Sequence, residues 1–398
     1  MTPELSADEL QSQATPPAEH ASARVGIVGA GQLARMGWQA AISLDLDLLC
    51  LGAADEAAAG AGAPLLEGNG RDPAALATLA GRCQVLTFEH ELVDLPAIVE
   101  LEANGVQIRP SATVLALAVD KLHQRRTLSG MDDVEVPSYA PVTDLSEVES
   151  FAADHGWPVV LKARSGGYDG RGVWICASRS TAGQALQEGQ DAGLELYVEE
   201  AVDIALELAV LVARSPSGEV AVYPPVETCQ VDGMCRWVVM PARVPENITR
   251  EVEELARNLA VHVGLEGLLA VELFLTRDDR LLVNELALRT HNTGHVHTEA
   301  STTSQFEQHL RAVLDLPLGV TAQIAAAAAM VNVVGPQDGS DPASRLQDAL
   351  RVPGASVHLY GKRARPGRKL GHVTVCAARP ETALTLALDA ADRLEGND

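Results

Sequence analysis

Aromatic rings and basic residues are scarce in this 398-residue sequence. Phe, Trp and Tyr make up 3% of it, and 30 lysines and arginines stand against 54 aspartates and glutamates, which gives a net charge of −24. A chain of this sign repels phosphate backbones and anionic membranes, and it offers no basic stripe with interleaved aromatic rings. We therefore expect neither a nucleic-acid partner nor a membrane partner.

Paired cysteines and long apolar runs are lacking as well. The six cysteines are scattered singly with no CxxC pair, which excludes a disulfide framework and favours a reducing cytoplasm. The longest apolar run, residues 324–331, is far shorter than the roughly 20 residues of a membrane span. Residues 1–24 contain Pro, Ser, Gln and acids without an apolar stretch, and they predict a disordered tail rather than a signal peptide.

From Arg24 to about residue 119, strand patterns alternate with helix patterns. The first strand leads into a glycine turn and then into apolar residues at helical spacing, beginning with Leu33 and Met36. Strands that alternate with helices predict a parallel sheet covered on both faces. We predict a Rossmann-like domain for residues 25–119.

The remaining sequence changes character twice. Residues 120–317 interleave helical stretches with paired apolar runs joined by short Gly or Asp turns, which indicates an α+β domain with antiparallel sheet. Residues 318–398 predict a smaller unit with short strands and a final Ala/Leu helix, although the alanine run at 325–329 is equally compatible with a helix start.

The first glycine turn, GAGQLA at 29–34, has the form G-x-G-x-x-A. Such a turn lets a phosphate approach the positive end of the following helix. Asp55 and Glu56 follow the second strand at a distance suited to a ribose hydroxyl, so a dinucleotide-binding oxidoreductase is one interpretation. A tight strand-to-helix turn without a ligand is the other.

The second glycine loop lies in VVLKARSGGYDGRGVWICA, with four glycines between residues 165 and 172. A strand rather than a helix follows it, which excludes a Walker loop. A hairpin tip with Lys162 at its base is suited to cover a triphosphate with backbone N–H groups and a cation. A surface hairpin without a ligand would explain the glycines but not the charged residues beside them.

Two apolar runs, 268–276 and 280–288, flank Asp278 and Asp279. If these aspartates form a two-residue hairpin loop, Glu272 lies directly opposite Glu285. Facing carboxylates destabilise each other unless a cation lies between them, and magnesium takes one or two carboxylates together with nucleotide phosphates. Phe274 and Val283 are expected on the same face, and Arg289 beside the metal. A solvated pair without a metal is the alternative.

His291, His295 and His297 crowd into seven residues, but nothing in that spacing fixes them on one face, so we favour a polar substrate loop over a zinc site. The run KRARPGRK at 362–369 is the clearest positive cluster in an acidic chain. It is suited to attract a phosphate.

Together these motifs closely resemble one family, the 5-(carboxyamino)imidazole ribonucleotide synthetases, which are ATP-grasp ligases of purine biosynthesis. The resemblance runs from about Val25 to His372 and rests on GAGQLARM, TFEHE, GGYDGRG, RTHNTGH and RPGRKLGH. It implies an ATP-grasp architecture, the substrates ATP, bicarbonate and 5-aminoimidazole ribonucleotide, the cofactor Mg²⁺, and a homodimer. Another ATP-grasp ligase, such as a formate-dependent transformylase, is the nearest alternative.

The resemblance also implies roles for individual residues. The magnesium ligands would be Glu272 and Glu285. The catalytic residues would be Asp169, Arg289 and His291, of which Asp169 and His291 are candidates for proton handling. The ATP-binding positions would be Lys121, Lys162, Gly167, Tyr168, Asp169, Gly170, Arg171, Gly172, Glu199, Glu200, Val202, Glu207, Asn284 and Glu285. The contacts to the ribonucleotide or bicarbonate would be Gly31, Gln32, Leu33, Glu89, Tyr168, Arg171, Arg289, His291, Asn292, Lys362, Arg368 and Lys369.

Overall fold

The computed structural model describes residues 24–167 and 170–397. The tail predicted for residues 1–24 lies outside this range apart from Arg24, and so do Tyr168 and Asp169 of the second glycine loop. Within these residues, no helix combines the length and the apolar character that crossing a membrane would take.

The N-terminal part is a parallel sheet with helices on both faces. Its strands are β1 (Arg24–Val28), β2 (Asp47–Gly52), β3 (Leu65–Glu67), β4 (Val85–Phe88) and β5 (Gln107–Ile108). Its helices are α1 (Gln32–Ser43), α2 (Ala57–Gly60), α3 (Pro73–Ala80), α4 (Leu95–Ala103) and α5 (Ala112–Val119). The strand order is β3-β2-β1-β4-β5, and separate apolar clusters bury the two faces. The predicted alternation of strands and helices is confirmed.

A short connection at Asp120 leads into helix α6 (Lys121–Leu128), which begins at the edge of the cavity described below. The Asp120 carboxylate accepts the backbone N–H groups of Leu122 and His123, which fixes the helix start. Gln124 and Arg125 follow Lys121 by three and four residues, so the three side chains lie on neighbouring positions of one side of α6.

A four-stranded antiparallel sheet follows, with helices packed on it. It comprises β6 (Tyr139–Val142), α7 (Leu145–His155), β7 (Val159–Ala163), β8 (Val173–Cys176), α8 (Arg179–Asp191) and β9 (Leu196–Glu200). The strand order is β6-β9-β7-β8. Because β7 and β8 are antiparallel neighbours, the second glycine loop is the tip of a hairpin, as the sequence predicts.

The largest sheet is antiparallel and has nine strands. Its strands are β10 (Ile204–Arg214), β11 (Val220–Val222), β12 (Val226–Val231), β13 (Met234–Met240), β14 (Gly267–Thr276), β15 (Leu281–Ala287), β16 (Ala327–Val334), β17 (Ala355–Leu359) and β18 (Lys369–Ala377). The order is β15-β14-β10-β12-β13-β16-β18-β17, with β11 paired to β10. The strands after residue 318 therefore extend the central sheet, and the alanine run leads into β16, which contains its last three residues, rather than into a helix. The boundary at 317–318 remains a prediction.

Helices and short turns complete this part. They are α9 (Glu246–His262), a 3-10 helix (Asn292–Val296), α10 (His297–Ala300), α11 (Gln305–Val313), a 3-10 helix (Pro342–Arg345), α12 (Leu346–Ala349) and α13 (Pro380–Glu395). Helix α9 packs its apolar face on β10 and β14, and α13 packs its alanines on β16 and β18. The predicted C-terminal Ala/Leu helix is α13.

Candidate active site

One cavity of about 980 Å³ lies where the three sheets meet. Nearly all the residues proposed from the sequence line it. These are Gly31, Gln32, Leu33, Glu89, Lys121, Lys162, Gly167, Gly170, Arg171, Glu199, Glu200, Val202, Glu207, Glu272, Asn284, Glu285, Arg289, His291, Asn292, Lys362, Arg368 and Lys369. Of the described residues in the prediction, Gly172 alone does not line the cavity. Residues up to 338 positions apart in the sequence, from Gly31 to Lys369, are thus brought together.

Glu272 and Glu285 are direct cross-strand partners on β14 and β15. The predicted pairing is right, but the predicted loop is wrong. The N–H of Thr276 donates to the carbonyl of Arg280 at 2.9 Å, so the loop has three residues, and Asp279 takes the left-handed conformation (φ 63°) that such loops need. The register then shifts between Glu272 and Leu273.

That shift is a β-bulge at Asn284, and it restores the pairing that the three-residue loop would have lost. Leu273 pairs with Val283 and Glu272 pairs with Glu285, which leaves Asn284 as the extra residue on β15. Val283 consequently lies in the buried core with Leu273 and not beside the glutamates, contrary to the sequence-based expectation. Phe274 does line the cavity.

The two glutamates differ in their electrostatic surroundings. Burial, and secondarily the charge of Glu285, raise the pKa of Glu272 to about 7. Glu285 also loses hydration, but the ammonium of Lys121 lies 2.8 Å from its Oε2 and holds its pKa below the usual value. Glu272 has a longer contact with His291, 3.4 Å from Oε1 to Nε2, and the charges of Lys121 and Lys369 offset its raised pKa only in part. The charge of Glu272 is therefore the less well compensated of the two.

This donor set fits a magnesium ion. Magnesium prefers hard oxygen ligands, commonly takes one or two protein carboxylates, and completes its shell with phosphates and water. Within residues 24–167 and 170–397, no group of three or more His, Cys, Asp or Glu side chains is arranged to hold a metal by itself. Two facing glutamates, one of them weakly compensated, are thus suited to a metal that arrives with a nucleotide.

Lys162 belongs to a buried ionic network that the sequence did not reveal. Its ammonium lies 2.6 Å from Oε2 of Glu199 and 3.2 Å from the side-chain oxygen of Asn284. The other oxygen of Glu199 accepts from the guanidinium of Arg125. Burial alone would raise the pKa of Glu199, but the two cations lower it to about 2. Glu199 is therefore a charged anchor for Lys162.

The glycine hairpin between β7 and β8 touches the turn between β12 and β13. A Cβ at Gly170 would lie 2.9 Å from the Cα of Gly233, and a Cβ at Gly233 would lie 2.7 Å from the Cα of Gly170. Both residues have positive φ, 76° and 75°. Since only glycine tolerates both the conformation and the contact, this pair lets the two hairpin tips close over one side of the cavity.

The first glycine turn binds the carboxylate of Glu89. Oε2 of Glu89 accepts from the N–H of Gly31 at 2.5 Å, and Oε1 accepts from the N–H of Leu33 at 2.9 Å. A Cβ at Gly31 would meet Glu89 at 2.5 Å, and one at Gly29 would meet it at 2.6 Å. The two glycines thus make room for Glu89, which accepts the backbone N–H groups of Gly31 and Leu33.

Asp55 and Glu56, the basis of the dinucleotide interpretation, also line the cavity. Oε2 of Glu56 accepts the N–H of Ala53 at 3.0 Å, so that carboxylate caps its own turn.

The basic run enters the cavity from the side of the C-terminal strands. Lys362 donates to the side-chain oxygen of Gln32 at the start of α1, and Arg35 donates to the carbonyl of Tyr360 at 3.1 Å. These contacts hold residues 360–362 against the N-terminal sheet. Together with Arg368 and Lys369, they place a positive region beside the first turn of α1.

Arg289 and His291 lie between the glutamate pair and that positive region. Arg289 is beyond the end of β15, and its Nε lies 3.0 Å from Oε2 of Glu91. Glu91 is a cavity residue that motif reading passed over, although it ends the segment TFEHE. Burial, and then the charge of Arg289, lower the pKa of His291 to about 3, so this imidazole is neutral near pH 7.

The other two histidines of residues 291–297 have separate surroundings. His295 stacks on His372 with a centroid distance of 4.4 Å, while His297 contacts Tyr223 and the hydroxyl of Ser301 at 2.8 Å. Asn292 exchanges amide hydrogen bonds with Asn332 at 2.9 and 2.7 Å. Only His291 and Asn292 of this segment reach the cavity.

Comparisons with known proteins agree with this arrangement. Three family models match consecutive parts of the chain: a ribonucleotide synthetase preATP-grasp domain (residues 22–119), an ATP-grasp domain (129–306) and a phosphoribosylaminoimidazole carboxylase C-terminal domain (328–385). The N5-carboxyaminoimidazole ribonucleotide synthase of Mycobacterium tuberculosis is 46% identical over 356 residues, 88% of this chain and 82% of that protein. The protein of the same name from Synechococcus elongatus is 43% identical over 370 residues, 92% of this chain and 91% of that protein.

Solved structures give the same result. The carboxyaminoimidazole ribonucleotide synthase of Aspergillus clavatus complexed with ATP has a TM-score of 0.86 at 34% identity, covering 94% of this chain and 99% of that one. A structure from the same organism in complex with ADP and 5-aminoimidazole ribonucleotide has a TM-score of 0.85 at 34% identity, with the same coverage.

Proposed function

Because this chain belongs to the N5-carboxyaminoimidazole ribonucleotide synthase family, we propose that its cavity carboxylates the amine of 5-aminoimidazole ribonucleotide with bicarbonate and ATP. The family and the ATP-grasp architecture expected from the motifs are confirmed. The chain is an ATP-dependent ligase of purine biosynthesis. The metal and the roles of individual residues are proposals that follow from the cavity.

The observation that supports this function most directly is the facing pair Glu272 and Glu285 beside Lys162. Phosphoryl transfer needs positioning and charge neutralisation more than covalent help from the protein. Magnesium held by these two glutamates would neutralise the triphosphate charge and orient the transferred phosphate. Lys162 would approach the phosphates from the β7 side, and the hairpin of residues 167–172 would cover them.

The reaction then has two balanced steps. A bicarbonate oxygen takes the γ-phosphoryl group of ATP, which forms carboxyphosphate and releases ADP. The ribonucleotide amine attacks the carboxyl carbon, the C–O bond to phosphate breaks, and the amine loses a proton. We assign Arg289 to the bicarbonate oxygens and neutral His291 to that proton, because both side chains line the cavity beside the glutamate pair. Asp169 stays a candidate from resemblance alone.

The ribonucleotide phosphate is assigned to the positive region of Lys362, Arg368 and Lys369 together with the side chain of Gln32. Glu89 occupies the backbone donors of Gly31 and Leu33. Glu89 also lines the cavity, so its carboxylate is suited to accept hydrogen bonds from hydroxyl or amine groups of the substrate beside the first turn of α1. Exclusion of water matters here because carboxyphosphate hydrolyses readily.

A coupled assay of ADP release tests this function. We expect ADP only when ATP, Mg²⁺, bicarbonate and 5-aminoimidazole ribonucleotide are all present. Formate in place of bicarbonate is the decisive control: turnover with formate would identify a transformylase instead. ADP release at the full rate without the amine would remove the proposed acceptor.

By resemblance to its family, we also infer that the chain works in the cytoplasm as a homodimer. Light scattering behind size-exclusion chromatography distinguishes a mass near 84 kDa from the 41.9 kDa of one chain, since a dimer has about twice the monomer mass.

A further inference from the structure

Strand β15 forms one edge of the nine-stranded sheet, and side chains of helix α6 bind several of its outer backbone groups, while the N–H of Val283 donates to the carbonyl of Glu135 at 2.8 Å. The amide of Gln124 pairs with Leu286 in both directions: its nitrogen donates to the carbonyl at 3.2 Å and its oxygen accepts the N–H at 3.0 Å. Next to it, the guanidinium of Arg125 donates to the carbonyls of Val283 and Asn284. Side chains thus take the place of a neighbouring strand at the bulge.

Arg125 is almost fully buried, with 1% of its surface exposed. Besides the two bulge carbonyls, it donates through Nε to Glu199. The other oxygen of Glu199 holds the ammonium of Lys162, and this ammonium also contacts the side chain of Asn284. The contacts therefore form a closed ring that runs from Arg125 through Glu199, Lys162 and Asn284 back to Arg125.

We propose that Arg125 is a positioning residue for phosphoryl transfer, which sets the direction of Lys162 and the shape of the bulge that carries Glu285. This inference rests on the proposed function of the cavity. Arg125 does not line the cavity itself, so it acts through Glu199 and through the backbone of β15. Two functional groups on different sheets, the phosphate-binding lysine and a metal-binding glutamate, depend on this one guanidinium.

The geometry requires a guanidinium. Arginine presents several N–H donors in a rigid plane, whereas a lysine ammonium is a compact point charge. The contacts of Arg125 diverge toward a carboxylate and two consecutive carbonyls, and a lysine at this site would reach only part of them. The neutral side chain of methionine would reach none, and Glu199 would then draw Lys162 as its remaining counter-charge.

Arg125→Lys and Arg125→Met test the proposal in the full-length protein, with ADP release measured against ATP and Mg²⁺ concentration. Loss of an outer-shell partner typically costs 10–100-fold in metal affinity or activity. We expect kcat to fall by about that factor in Arg125→Met, with a higher Mg²⁺ concentration at half-maximal rate, and Arg125→Lys to lie between Met and wild type.

Arg243 supplies the matched control. It also pairs with a buried carboxylate, Glu227, through contacts of 2.8 and 2.5 Å, but neither residue lines the cavity. Arg243→Lys should lower the melting temperature without moving kcat or the Mg²⁺ dependence. If Arg125→Lys shows only that same pattern, Arg125 is merely structural and the proposal is wrong.

Two further outcomes keep this inference separate from the proposed function. Wild-type protein without bicarbonate-dependent turnover would overturn the proposed function whatever the variants do. If Arg125→Met does not fold, Glu199→Gln tests the same ring: its effect on kcat should be much smaller in an Arg125→Lys background than in wild type, because both changes break one network. Fully additive effects would refute the coupling.

Discussion

Glu272→Gln should make the protein without ligands more stable while it removes catalysis. Burial and the facing Glu285 raise the pKa of Glu272 from 4.5 to about 7. A carboxyl group whose pKa is higher in the folded state binds protons more tightly there, so its ionisation destabilises the fold. That cost is absent below pH 4.5 and fully present above pH 7. Glutamine keeps the shape and removes the charge.

The expected magnitude follows from the shift. One pKa unit corresponds to about 1.4 kcal/mol, which sets an upper value of roughly 3 kcal/mol at pH 8. The Glu272 side chain is 26% exposed, so water screens part of the interaction and we expect about 2 kcal/mol, to order of magnitude. The gain should shrink by more than half between pH 8 and pH 5.5, because Glu272 is then largely protonated in wild type.

Thermal unfolding with and without Mg²⁺ and ATP measures the difference in stability between Glu272→Gln and the wild type. Without ligands at pH 8, Glu272→Gln should melt several degrees above wild type. Saturating Mg²⁺ and ATP should raise the free energy of unfolding of the wild type, by about 2.7 kcal/mol when the ligand is at 100 times its dissociation constant. The same ligands should leave the stability of the variant almost unchanged. The variant therefore melts above the wild type without ligands and below it with ligands. A variant that is less stable than wild type without ligands, or that keeps both the ligand shift and ADP release, would refute the electrostatic reasoning.

Three other perturbations have defined outcomes. Gly233→Ala should lower kcat/KM for ATP several-fold because a Cβ at this position meets Gly170. Its control is Gly218→Ala, at a glycine of φ 94° with open space around it, which should affect stability only. Equal kinetics for the two variants would contradict the contact between the hairpin tips. Urea unfolding should show stability falling as pH drops from about 6.5 toward 4, by roughly 1.4 kcal/mol per pH unit for each buried histidine that stays neutral in the fold. Burial lowers the pKa of His297 to about 3 and of His309 to about 4, so His309→Gln should flatten that slope and exposed His262→Gln should not. Glu89→Ala should cost about 0.5–2 kcal/mol, as loss of a helix cap does, and an unchanged melting temperature would show that Glu89 does not hold the first turn of α1.

Sequence reasoning identified the glutamate pair correctly through two errors that cancel. A two-residue loop and a regular ladder predict Glu272 opposite Glu285, and the molecule reaches the same pairing with a three-residue loop and a bulge at Asn284. The period of two in a strand reveals which residues alternate, but an inserted residue leaves no compositional mark. The regular alternation therefore predicts the wrong face for Val283, which lies with Leu273 in the core.

The ionic network around Lys162 was out of reach for a different reason. Arg125 and Glu199 are 74 positions apart, and Arg125 reaches the carbonyls of Val283 and Asn284 from 158 and 159 positions away. No local pattern specifies such contacts, because each partner lies in its own helix or strand with an ordinary periodicity. Glu89 illustrates the same limit. The glycine turn is visible in the sequence, but the carboxylate that accepts its N–H groups directly follows β4 and lies 58 positions from Gly31.

The strongly acidic composition suggested that anionic substrates would need a locally basic site, and the cavity meets that need only in part. Among the described residues, ten aspartates and glutamates and seven lysines and arginines line it, a formal difference of −3. Several of the cations are already paired, Lys121 with Glu285, Lys162 with Glu199 and Arg289 with Glu91. A free triphosphate would therefore meet a site with little net attraction, whereas a triphosphate that carries a divalent cation would bring positive charge to Glu272, whose pKa is raised. We therefore expect the cavity to favour the metal complex of the nucleotide, and we expect the basic side chains of residues 362–369 to meet the second anion.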